Sequence, residues 1–116
     1  MPAIDVPSLT PPALYRNVQP TLSDGRPKFV VDEVVSFAEA DRRCRELMIA
    51  QDPKSAVGMV FHGCTQMWPD KCWIIRIDVE RVRVHELAHC AGWPKDHPGG
   101  VWEGPPLSAY AWPRER

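Results

Sequence analysis

The sequence predicts an α+β domain in which two main helices pack on a short, mostly antiparallel sheet. Three observations carry this expectation. Phe37, Ala40, Cys44, Leu47 and Met48 recur at helical spacing, and so do Val84, Leu87, Ala88 and Ala91. Short runs rich in β-formers, Phe29-Val30-Val31, residues 56–62 and residues 72–78, lie between segments that carry turn residues.

Residues 1–28 form an arm with Pro2, Pro7, Pro11, Pro12, Pro20 and Pro27 and little periodicity. Its apolar residues Ile4, Val6, Leu9, Leu14, Tyr15 and Val18 favour a strap docked on the body over a free tail. Residues 29–116 then make one domain. Ser36 followed by Glu39 is a capping-box pattern that opens the first helix, and Gln51-Asp52-Pro53-Lys54 closes it. Residues 65–71 read as a loop between the second and third strands, flanked by Cys64 and Cys72. Beyond the second helix, Pro98-Gly99-Gly100 turns the chain and Pro105-Pro106 forbids another long helix. Trp102, Tyr110 and Trp112 give this tail large apolar bodies for packing.

Hydrophobic residues make up 44% of the chain and charged residues 25%, the balance of a soluble globular domain. A net charge of −1 and a pI near 6.4 point away from nucleic acid and anionic membrane surfaces. Arg42, Arg43 and Arg45 alternate with nearby acids and read as a solvated helix face. No apolar run approaches the roughly 20 residues of a membrane span. Residues 1–5 carry neither a basic n-region nor an apolar h-region.

The four cysteines allow two bridges. Cys64 with Cys72 would close the intervening loop, and Cys44 with Cys90 would staple the two helices. Each would add about 2–4 kcal/mol. Bridged cysteines imply a secreted or periplasmic protein, whereas four reduced thiols would fit the cytoplasm.

Chemistry concentrates in His85-Glu86-Leu87-Ala88-His89, an H-E-x-x-H motif. Four residues apart on a helix, the two histidines lie about 40° apart around the axis and about 6 Å along it, so both imidazoles can ligate one Zn²⁺. Glu86 falls where it can reach a water on that metal without ligating it, as a general base must. On a helical wheel the apolar residues share one arc, with His85, Glu86 and His89 on the arcs beside it. Gly92 can end the helix in a left-handed conformation, and Pro94 prevents its resumption. The turn lets a third ligand swing back. His97 is the first choice and Asp96 the alternative, with Glu103 and His62 more remote.

His85-Glu86-x-x-His89-x-x-Gly92 resembles the metzincin branch of the zincin metallopeptidases, as a small, divergent, bacterial-type member. The resemblance implies a zincin-like fold, His85 and His89 as zinc ligands, Glu86 as catalytic base and Gly92 as the turn that brings in the third ligand. It covers about a dozen residues. Lys95 stands where that branch places its third ligand, and no methionine follows the motif. By the same resemblance, a peptide substrate would add as a strand beside residues 57–61. Tyr110 would stabilise the oxyanion. Apart from the resemblance, Trp93 and Trp102 are candidates to line a substrate pocket. The stretch is also similar to ones in short proteins associated with secretion systems or mobile elements.

The expected function is zinc-dependent hydrolysis of a peptide or amide bond. The rival is a catalytically inactive zinc-binding interaction module, supported by the short chain and the displaced third ligand.

Overall fold

The computed structural model describes residues 9–56 and 60–102. Along the chain it contains β1 (Leu9–Thr10), β2 (Phe29–Val34), α1 (Phe37–Gln51), a 3₁₀ turn (Pro53–Ala56), β3 (Gly63–Met67), β4 (Lys71–Arg76), α2 (Glu80–Cys90) and β5 (Val101–Trp102). The α+β class and the two helices on a small sheet agree with the sequence reading.

The main sheet has the order β2-β4-β3 and is mixed. β3 and β4 form an antiparallel hairpin, while β2 runs parallel to β4. A parallel pair needs a long crossover, which α1 supplies between β2 and the hairpin. β1 and β5 make a separate antiparallel pair, Leu9 opposite Trp102 and Thr10 opposite Val101. Residues 9–28 thus lie against the body, with Pro11 and Pro20 buried.

Alternation along the strands sets the layers. Cys64 pairs with Ile75 and faces α1, where Cys44 closes a disulfide with it. Cys72 and Ile74 point to the other face, where Cys72 is bonded to Cys90 of α2. The helices therefore sandwich the sheet. This corrects the expected pairings of Cys64 with Cys72 and Cys44 with Cys90. Cys72 sits opposite Met67, three positions from Cys64, so the two side chains leave opposite faces. Each observed bridge ties a helix to the sheet, across sequence separations of 20 and 18. Closing loops of that size stabilises by about 3 kcal/mol apiece.

Two further expectations shift. The strand expected at residues 56–62 lies later, at Gly63–Met67. Ala56 ends the 3₁₀ turn, residues 57–59 lie outside the described set, and residues 60–62 have no regular structure. The apolar run there marks burial beneath α1: Phe61 is buried, and its N–H donates to the buried Asp41 carboxylate at 3.0 Å. The expected loop at 65–71 is mostly strand, shortened to a turn closed by Trp68 N–H donating to Lys71 O at 2.9 Å.

Ser36 caps α1 by accepting from the Glu39 N–H at 3.2 Å. The Glu39 carboxylate pairs with Arg42 in place of closing a capping box. One buried cluster, Cys44, Phe61 and Ile75, lies between α1 and the sheet, and a second, Cys72, Ile74 and Cys90, between the sheet and α2. A third joins Phe37 and Ala40 of α1 to Val82 of α2 and Ile77.

α2 is not the one-faced helix that the wheel describes. Val82, His85, Glu86, Ala88 and Cys90 are all buried, while Val84 and Leu87 are only half-buried. Its polar arc is covered as well, by β1 over His85 and by β3 over Glu86.

Close contact between β3 and α2 depends on Gly63. A Cβ there would lie 2.9 Å from Val82 Cγ1 and 3.2 Å from Glu86 Oε2. Val82 is fully buried and has no flexible end to retract. Gly63→Ala should therefore cost about 1–3 kcal/mol, as overpacking does. Chemical denaturation checks this, and an unchanged midpoint would show that α2 can move freely off the sheet.

Candidate metal centre

Helix α2 is built to stop where the site needs it. Glu80 and Arg83 pair across its first turn, and at its end the Gly92 N–H donates to His89 O and the Trp93 N–H to Ala88 O. Gly92 has φ 111°, the left-handed residue of a Schellman stop. The chain then turns through Pro94–Gly100, where the His97 N–H donates to Pro94 O and the Gly100 N–H to His97 O. His97 itself has φ 60°, and this turn carries its ring back over α2.

The three imidazoles converge through the same atom. The Nε2 atoms of His85, His89 and His97 lie 3.2–3.3 Å from one another. Three nitrogens at 2.0–2.1 Å from a tetrahedrally coordinated Zn²⁺ would stand about 3.3–3.4 Å apart. The ring of His85 bonds Leu9 O through Nδ1 at 2.8 Å, and that of His89 bonds Trp93 O through Nδ1 at 2.8 Å. A carbonyl only accepts, so both Nδ1 atoms carry the proton and both Nε2 atoms present lone pairs. The three residues form a group that could hold a metal ion. Among the described residues that group has no fourth His, Cys, Asp or Glu.

Burial governs the titration of the cluster. It pushes His85 down to about 4 against the smaller effect of the Leu9 bond. It also lowers His97 to about 4, helped by its two histidine neighbours, and lowers His89. His85 and His97 are thus neutral and able to ligate well below neutral pH, and burial shifts His89 in the same direction.

Glu86 lies deep beside the ligands at 3% exposure. Its Oε1 accepts from the Thr65 hydroxyl at 2.7 Å, so the edge strand β3 holds the carboxylate in place. Burial raises its proton affinity, offset in part by His89 and by the Thr65 bond.

Trp93 is 1% exposed, with its ring 5.0–5.2 Å from all three histidine rings. It packs on the three histidine rings. Trp102 is exposed on β5. Asp96, the alternative third ligand, is exposed and outside the histidine group, as is Lys95. His62 is buried in a stack on Phe37, also outside that group. Tyr110 and Glu103 lie outside the described residues. Two partners of the site escaped the sequence reading. Thr65 sat inside what read as a loop, and the Leu9 carbonyl, 76 positions before His85, leaves no trace in side-chain pattern.

Compared with family models, curated proteins and solved structures, the chain matches none.

Histidines held below their usual 6.5 make the metal-free fold sensitive to acid. Their contribution to stability is complete above about pH 6.5 and is lost as pH falls toward about 4, because unfolding then takes up protons. The melting temperature of chelator-treated protein should drop across that window, and His97→Gln should flatten the drop. Thermal melts with chelator at stepped pH test this; equal slopes in both proteins would refute it.

Proposed function

We propose that the chain is a zinc-dependent metallopeptidase that hydrolyses a peptide or amide bond, with His85, His89 and His97 holding the metal and Glu86 as general base. The observation that carries the reading is the meeting of three Nε2 atoms at 3.2–3.3 Å beside a buried carboxylate on the same helix. An all-imidazole set suits zinc, and three protein ligands with one open position are the pattern of catalytic zinc sites, whereas structural sites use four.

When bound, the ion supplies Lewis acidity, which acidifies a water and polarises the scissile carbonyl. Glu86 takes the proton from the attacking water and passes it to the leaving amine. Thr65 holds Glu86 through Oε1, and in this reading Oε2 makes the transfer. The substrate strand, placed by resemblance beside residues 57–61, moves to the free edge of β3. That strand ends the sheet order and touches Glu86, so a peptide added there would run past the base.

The two disulfides support action outside the reducing cytosol, in a secreted or periplasmic setting. Among the described residues no helix is long and apolar enough to cross a membrane.

One observation favours the second reading, an inactive zinc-binding module: the Glu86 carboxylate is almost wholly enclosed and already engaged by Thr65. Metal analysis with peptide-library cleavage separates the two. Purified, unchelated protein should carry one zinc per chain. Glu86→Gln should keep that zinc and lose about 10²–10⁴-fold in turnover. His85→Ala and His89→Ala should lose the zinc itself. Zinc-loaded wild type that cleaves no peptide in the library would establish the binding module instead.

A further inference from the structure

The two helical ligands come from a rigid element, but His97 comes from a turn in which it adopts a left-handed φ of 60°, a conformation uncommon outside glycine. Something must hold that turn against the helix closely enough for three nitrogens to meet, since coordination tolerates errors of only about 0.5 Å. We infer that Trp93 is the positioning residue of the metal centre, setting all three imidazoles at once. The inference rests on reading the three histidines as a metal site.

Five contacts converge on Trp93, and a glycine beside it leaves the space. Its backbone carbonyl accepts the His89 Nδ1–H at 2.8 Å, which fixes that ring's tautomer. Its indole Nε1–H donates to Pro98 O at 2.9 Å, one residue beyond His97, and so pins the turn that carries the third ligand. Its ring stacks on His89 at 5.0 Å and 20°, and meets His85 and His97 edge-on at 5.2 and 5.1 Å. The three histidine rings are themselves 4.9 Å apart, so the indole caps one side of their triangle. Lastly, Gly100 leaves room for it: a Cβ there would stand 3.1 Å from the indole Cζ2.

With the indole on one side, a fourth ligand would approach from the other, and the buried apolar ring keeps water from competing on the covered side. Trp93 touches no reacting atom. It acts through the ligands.

The test compares zinc affinity, by chelator competition, in wild type, Trp93→Leu, Trp93→Phe and Phe61→Leu. It adds the visible absorption of the cobalt(II) form, which reports coordination geometry. Phe61 is buried in the cluster with Cys44 and Ile75, and serves as a control for lost packing. Trp93→Leu should weaken zinc binding about 10–100-fold and alter the cobalt spectrum, the range seen for groups that orient ligands. Trp93→Phe keeps a flat ring and the backbone carbonyl but loses the bond to Pro98, and should fall between Leu and wild type. Phe61→Leu should lower the melting temperature with zinc affinity and cobalt spectrum unchanged. Should Trp93→Leu fail to fold, Trp93→Phe decides alone, and a wild-type affinity and spectrum there overturn the inference. Equal losses in the Trp93 and Phe61 variants overturn it too. Wild type without affinity for zinc overturns both this and the proposed function. Zinc binding without peptide cleavage overturns only the hydrolase.

Discussion

The Nε2 lone pairs of His85 and His89 and the Nε2 of His97 stand within 3.3 Å of one another, and the rest of the structure works to hold them there. The helix supplies two of the lone pairs by spacing alone. Every other element can be understood by what it does for that convergence. The Cys72–Cys90 bridge fastens α2 to the sheet at the residue after His89. Gly63 lets the same helix approach β3 closely enough for Thr65 to reach Glu86. The Schellman stop at Gly92 turns the chain so that His97 returns.

The motif and the two helices were legible because their signals are local. Helical spacing, the Ser36 cap and the left-handed glycine each act within a few residues, and each appears in the structure where the sequence puts it. What was misread depends on contacts between distant segments. The apolar run at 56–62 satisfies a strand pattern, yet its described part is buried by α1 and the Asp41 carboxylate takes the N–H of Phe61. The cysteine pairing failed for a related reason. Whether two cysteines on neighbouring strands can meet depends on pairing register, and reading residues 65–71 as loop, where only residues 68–70 separate the strands, hides that they face opposite sides.

The wheel for α2 went wrong in a more instructive way. An amphipathic helix buries one face, but this one buries His85 and Glu86 as thoroughly as Val82. In a chain of 116 residues there is little core to spare, so the reactive groups are themselves packed into it. That burial has a chemical effect. It lowers the proton affinity of the three histidines and raises that of Glu86.

Burying a reactive group also demands partners for it, and here they come from the two ends of the described chain. His85 donates to the carbonyl of Leu9, and Leu9 is held by β5 just beyond the His97 turn. Loosening the β1–β5 pair would leave the Nδ1–H of His85 without its acceptor, and that proton would be free to move to Nε2, the nitrogen that faces the other two histidines. Strap, turn and ligand tautomer are therefore one coupled unit. The proline-rich strap belongs to the histidine cluster as much as the helix does, since without it the second ring nitrogen of His85 would have no reason to stay bare.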